Sequence, residues 1–179
     1  MIYKETSLSG AYVISLKPKK DERGFFARTF CKLEMEKFGL HTEFVQCNIS
    51  CNYKKGTLRG LHYQADPFGE IKIVSCRRGA IFDVIVDIRN ESETYGQFFT
   101  IELSVDNYQA LYVPTGFAHG FQTLTDETEV FYLMGNYYEL AAARGIRWDD
   151  PKLNIPWPEN NKIISEQDKT FNTFHWMSI

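Results

Sequence analysis

Gly56-Thr57-Leu58-Arg59-Gly60-Leu61-His62-Tyr63-Gln64 has the pattern of a short strand opened by a glycine turn, with the basic pair Lys54-Lys55 just ahead of it. Strand side chains alternate between faces. Regular pleating therefore puts Leu58, Gly60, His62 and Gln64 on one side and Arg59, Leu61 and Tyr63 on the other. A histidine and a glutamine in line, beside a glycine that leaves room, suit the wall of a polar pocket. Imidazole titrates near neutral pH, so His62 is the first candidate for proton chemistry. The competing reading is a core histidine with one ring nitrogen hydrogen-bonded, since titratable groups mark sites only statistically.

Similar runs lie on both sides of this stretch. Tyr12 to Leu16, Phe44 to Ser50, Ile71 to Arg77, Ile81 to Ile88, Gln97 to Ser104, Gln109 to Val113, Phe117 to Phe121 and Glu129 to Met134 all have strand character. In Phe44 to Ser50 the side chains of Val45, Cys47 and Ile49 form an apolar face, and Gln46, Asn48 and Ser50 a polar one. Short strands rich in Val, Ile, Phe and Tyr, spaced by roughly 8–12 residues, predict an all-β sandwich or barrel. Lys17 to Gly24 is expected as a polar turn, Phe25 to Phe30 as an extended aromatic segment, and Lys32 to Gly39 as a short helix ended by its glycine. Beyond Ala141, prolines at 151, 156 and 158 break regular structure, and Ile163 to Asp168 reads as a short helix or loop. No repeat or linker divides the chain, so residues 1–179 are expected to form a single domain.

The 179 residues are 44% hydrophobic and 15% aromatic, enough for a substantial core. The net charge of -3 argues against a nucleic-acid partner, which needs a basic field. No apolar run approaches the roughly 18 residues of a membrane span, and Met1 to Glu5 lacks a signal-peptide core. A cytoplasmic protein is expected. Its cysteines, at 31, 47, 51 and 76, show no Cys-x-x-Cys spacing and are read as free, mostly buried thiols.

The histidines are His41, His62, His119 and His175. A metal-binding double-stranded β-helix commonly supplies His-x-His on one strand and a distant third histidine. Here the strand reads His62-Tyr63-Gln64, which leaves His62 and His119 as two ligands, and no metal is expected. Metal-free acid–base chemistry has more candidates. Lys72 follows His62 by ten residues, which suits the next strand of a hairpin; it either faces an anion or sits at an edge in solvent. Tyr132 is either a proton donor or a core aromatic with a satisfied hydroxyl. Asp168 either orients an imidazole or is an exposed helix-end acid.

Taken together, these residues carry a resemblance. Asp21-Glu22-Arg23-Gly24-Phe25-Phe26, Phe44-Val45-Gln46 with Asn48 and Ser50, and Leu58-Arg59-Gly60-Leu61-His62 run colinearly with Lys72, Asp83-Val84, Thr94-Tyr95-Gly96, Pro114 with Gly116-Phe117-Ala118-His119-Gly120-Phe121, Trp148 with Asp150, and Trp157-Pro158 before Asp168. The chain resembles the dTDP-4-dehydrorhamnose 3,5-epimerase family of nucleotide-sugar epimerases from Asp21 to about Asp168. The resemblance implies a cupin jelly-roll barrel with short peripheral helices, acting as a homodimer without metal or cofactor. It implies inversion at C3 and C5 of a nucleotide-linked 4-keto-6-deoxy sugar through an enolate, most simply dTDP-4-dehydro-6-deoxyglucose to dTDP-4-dehydrorhamnose.

By position, the resemblance makes His62 the base, oriented by Asp168. Tyr132 becomes the acid on the opposite face, and Lys72 the partner of the enolate oxygen. His119 would lie by the sugar, held by Asp83. Arg59 and Arg23 would meet the diphosphate, Gln46 and Asn48 the nucleoside, and Phe26 the base; Arg28 stands near that group. Arg59 and His62 are three positions apart, so a flat strand would aim them oppositely unless Gly60 hosts a bulge. The chain departs from the thymidine enzymes' pattern at Arg28 (often glutamate), Glu70 (often glutamine) and Ala141-Ala142-Ala143. A CDP or other carrier, inversion at one carbon only, and a keto-sugar isomerase therefore stay open. A carbohydrate-binding jelly roll is the non-enzyme alternative.

Overall fold

The alternating runs fold as strands in the computed structural model, which describes residues 1–174. In chain order the elements are β1 (Ile2–Glu5), β2 (Tyr12–Ser15), β3 (Lys19–Asp21), β4 (Gly24–Phe26), α1 (Lys32–Glu36), β5 (Gln46–Asn52), β6 (Thr57–Gln64), β7 (Lys72–Arg78) and β8 (Ala80–Asp87). They continue as β9 (Phe98–Ser104), β10 (Gln109–Val113), β11 (Phe117–Thr123), β12 (Thr128–Met134), β13 (Ala143–Gly145), β14 (Ile163–Ile164) and α2 (Glu166–Thr170). One sheet has the order β1-β2-β10-β7-β12-β5, and the other β13-β6-β11-β8-β9 with β14 added beside β6. Successive strands such as β6 and β7, or β11 and β12, lie in different sheets. This is the winding of a jelly roll, as the resemblance implied.

The core lies between the sheets. Val74, Leu111, Val113 and Val130 from the first sheet meet Ile81, Ile85, Leu103, Phe117 and Phe121 from the second. The outer face of the second sheet is covered by the tail, where Ile146, Leu153 and Ile155 pack on Leu61, Val84, Val86 and Ala118. With both sides covered, β8 reads as almost continuously apolar. The helix α1 covers part of the first sheet's outer face through Met35, which packs with Ile14, Ile73 and Tyr112.

Several expectations are corrected. Lys72 does not sit on a hairpin partner of His62, because β7 pairs with β10 and β12. The stretch from Lys17 to Gly24 is not merely a turn: β3 and β4 form an exposed two-stranded hairpin, and the strand ends at Phe26 rather than Phe30. The apolar face read in Phe44 to Ser50 lies open, with Val45, just before β5, 43% and Ile49 64% exposed. Of the cysteines, all free, only Cys76 is buried, while Cys47 and Cys51 are exposed. His175 lies outside the described residues.

Strict alternation fails in β6 itself. The β6–β11 register pairs His62 with His119 but Arg59 with Phe121, so β6 carries one extra residue against its partner. That bulge falls at Gly60, whose φ of +123° is open to glycine. A Cβ there would lie 2.6 Å from Gly120 Cα and 2.9 Å from the His119 carbonyl oxygen. The extra residue turns Arg59 to the same side as His62, which resolves the three-residue spacing.

Asp87 pins the loop after β8. Its carboxylate accepts from Arg89 Nε (2.9 Å) and Nη2 (2.6 Å), Ser92 Oγ (2.6 Å) and Thr94 Oγ1 (2.7 Å). Burial would push this carboxyl up, but the hydrogen bonds from Arg89, Ser92 and Thr94 outweigh it and bring it from 3.8 down to about 2. A depressed carboxylate contributes stability that is complete above its unfolded value and lost as pH falls through its folded value. Asp87→Asn is thus expected to be less stable than the parent by about 2 kcal/mol at pH 7. In urea unfolding that gap should close as the pH drops from about 4 toward about 2; a gap independent of pH would contradict the network.

Candidate active site

A cavity of about 520 Å³ opens between the two sheets, a size that suits a small-molecule site. One wall comes from the second sheet, with Arg59, His62 and Gln64 on β6 and His119 on β11. The facing wall comes from the first sheet, with Gln46, Asn48 and Ser50 on β5, Lys72 on β7 and Tyr132 on β12. The polar face expected on β5 is the one turned into the cavity.

His62 Nε2 donates to Asp168 Oδ1 at 2.7 Å, and the second carboxylate oxygen accepts from the Gly60 N–H at 3.3 Å. With the proton on Nε2, the lone pair is on Nδ1. Burial alone would raise the Asp168 carboxyl, but the His62 hydrogen bond and charge hold it below its ordinary range, helped by Gly60 and Ser165. Ser165 caps α2 by accepting from the Asp168 N–H, which fixes the acid on the helix's first turn. Phe171, just past α2, meets the His62 ring edge-on at 5.8 Å. A Cβ at Gly145 would lie 2.3 Å from the Phe171 ring, so Gly145 keeps room for that contact.

A second imidazole–carboxylate pair stands beside the first. His119 is opposite His62 in the ladder, and its Nε2 lies 2.7 Å from Asp83 Oδ1. Both residues are buried, and Asp83 Oδ2 has no hydrogen-bond partner among the described residues. Burial therefore pushes the Asp83 carboxyl up, against the pull of His119 and Lys72. Among the described residues, no group of three or more His, Cys, Asp or Glu is arranged to hold a metal ion.

On the facing wall the Tyr132 phenol is pushed well above its ordinary range by burial and by the charge of Asp83, with Arg59 and Ser50 opposing. It stays protonated through any physiological pH. Lys72 Nζ lies 2.8 Å from Glu70 Oε1, and both side chains are almost buried at 8% and 9% exposure. Arg59 Nε is anchored on Asn52 Oδ1 at 2.8 Å, while Gln46 Oε1 accepts from the Tyr138 N–H at 2.8 Å at the cavity mouth.

The structure thus brings His62, Asp168, Lys72, Tyr132, His119, Arg59, Gln46 and Asn48 to one site. It does not bring Arg23, Phe26 and Arg28 there within the chain. Arg23 is exposed and paired with Asp21, Phe26 is 76% exposed, and Arg28 is paired with Glu34. Sequence reasoning missed Ser50, Tyr138, Arg144 and Phe171 as cavity residues. Ser50 had a signal, since it continues the alternation of Gln46 and Asn48. Tyr138 and Phe171 lie outside regular elements and Arg144 on the three-residue β13, too short for a periodicity to point inward.

The family model described as dTDP-4-dehydrorhamnose 3,5-epimerase matches residues 5–175. The dTDP-4-dehydrorhamnose 3,5-epimerase of Shigella flexneri is 44% identical over 165 residues, covering 92% of this chain and 91% of that protein. The crystal structure of the Bacillus anthracis enzyme of that name, with TDP and PPi bound, superposes with a TM-score of 0.94 at 39% identity, covering 97% of this chain and 99% of the other. A Legionella pneumophila dTDP-6-deoxy-D-glucose-3,5-epimerase in complex with dTDP-4-keto-L-rhamnose gives a TM-score of 0.90 at 37% identity, covering 96% and 92%. A family match over almost the whole chain, joined to the same fold, leads to one conclusion: the chain belongs to the dTDP-4-dehydrorhamnose 3,5-epimerase family.

Proposed function

We propose that this protein epimerises a nucleotide-linked 4-keto-6-deoxy sugar, taking dTDP-4-dehydro-6-deoxyglucose to dTDP-4-dehydrorhamnose, and that residues 1–179 act as one catalytic domain. The observation that carries the reading is the pairing across the cavity: an imidazole on one sheet, backed by a carboxylate from α2, faces a protonated phenol on the other. Relatives that bind TDP or dTDP-4-keto-L-rhamnose support the thymidine carrier.

The chemistry follows from the ketone. The C4 carbonyl acidifies the hydrogens on C3 and C5, because the pair left by either C–H bond delocalises onto O4. His62 Nδ1 takes the proton, and Asp168 stabilises the imidazolium that forms. Lys72 meets the charge gathering on O4, as a preorganised cation does in a site sheltered from water. Tyr132 then gives its proton to the carbon from the opposite face, and the centre is inverted. The phenolate and imidazolium return to their starting states by exchange with solvent. His119, fixed by Asp83, lies by the sugar, and Arg59 presents its guanidinium fork to the diphosphate. In deuterated water, the substrate should gain deuterium at C3 and C5. Absence of label with dTDP, CDP and other carriers alike would overturn the proposal.

The same reading accounts for the stranded contacts. In a homodimer, the exposed β3–β4 hairpin of one protomer would reach the other's cavity, carrying Arg23 and Phe26 to the nucleotide. The hairpin's full exposure and the apolar outer side of β5 support this. Mixing two inactive variants tests it. When His62→Asn and Arg23→Ala chains are refolded together, a trans hairpin restores about a quarter of wild-type sites. No recovery would mean that each chain uses its own hairpin, or none.

A further inference from the structure

Glu70 is an acid inside a site proposed to bind a diphosphate and an enolate. Its carboxylate lines the cavity at 9% exposure and sits 2.8 Å from Lys72 Nζ. Two hydrogen bonds tie down the segment around it, from the Gly135 N–H to the Ile71 carbonyl at 2.8 Å and from Asn136 Nδ2 to the Gly69 carbonyl at 3.4 Å. A negative charge here repels the carrier phosphates and offsets the very cation meant to stabilise O4. Lys72 Nζ meets one of its oxygens; the charge stays unfavourable to both unless the substrate brings a further donor.

The substrate offers one at the right place. If Lys72 holds O4, a cavity-lining acceptor 2.8 Å from Nζ can reach the substituents on one of the two carbons flanking C4. On the C5 side are a methyl group and the ring oxygen, neither of which can donate. On the C3 side is a hydroxyl. A carboxylate accepts only, so it selects the hydroxyl donor and rejects the alternative orientation.

We infer that Glu70 is a substrate-binding residue that accepts a hydrogen bond from the sugar's C3 hydroxyl, orienting the ring on Lys72 and selecting 4-keto sugars that carry a free 3-hydroxyl. This inference rests on the placement of Lys72 at O4.

A mutation–analogue cycle isolates the contact from effects on Lys72, which cancel in the ratio. C5 deuterium exchange is measured with the normal nucleotide sugar and with its 3-deoxy analogue. The parent should prefer the 3-hydroxy substrate by about tenfold or more in kcat/KM, as a hydrogen bond to a charged acceptor allows. Glu70→Ala should reduce the preference to within about twofold, and Glu70→Gln, which keeps the size and one acceptor, should retain a few-fold. A preference left at the parent's level in either variant, or no preference in the parent, would overturn the inference. Failure of the epimerase reading looks different: the parent would show no exchange with either compound.

Discussion

His62→Asn is expected to lower deuterium exchange at both C3 and C5 by about a thousandfold, the scale of a lost general base. The dyad explains why the effect should be so large. Asp168 is buried, is not among the residues lining the cavity and keeps one oxygen on the Gly60 N–H, so it does not take the base's place. His119 does not replace the missing imidazole, because its side chain is 6% exposed against 45% for His62. Asparagine keeps the polarity of the wall but offers no basic nitrogen. Binding of dTDP, measured by calorimetry, should therefore change by less than about threefold. If exchange survives His62→Asn at near-parental rate, the proposed base is wrong. If nucleotide binding and exchange fall together, the histidine has a binding role instead.

Tyr132→Phe should separate two observables that His62→Asn removes together. The variant keeps the ring, which packs beside the core and edge-on to His119 at 6.3 Å, and deletes only the hydroxyl. Proton removal by His62 does not need the phenol, so exchange with retention should continue. Delivery to the opposite face does need it, so net epimerisation at one or both carbons should fall by about a hundredfold. Position-resolved NMR of labelled product reports both quantities in one sample. Equal loss of exchange and epimerisation would argue against Tyr132 as the opposite-face acid.

Much of this site was legible in the residues, and the exceptions have physical causes. His62 and the polar row Gln46, Asn48, Ser50 follow from period-2 alternation alone. Arg59 does not, because a bulge at Gly60 reverses its direction, and only the backbone approach to Gly120 reveals that the bulge is needed. Lys72 was placed on the wrong strand partner because jelly-roll winding sends consecutive strands to different sheets, which local spacing cannot report. Asp168 reaches His62 across 106 positions of sequence, so only family resemblance pointed to the pair. On β5, alternation identifies two faces without saying which is covered, and the apolar one is exposed.

Inversion needs a sugar ring held between two walls, with a base on one and an acid on the other. A crystal structure of the protein with an unreactive dTDP-sugar analogue measures that directly. The predicted result has His62 Nδ1 and Tyr132 Oη within hydrogen-bonding reach of opposite faces of the hexose, and Lys72 Nζ on the oxygen at C4. A hexose bound with both groups on one face, or seated away from residue 62 altogether, would contradict it.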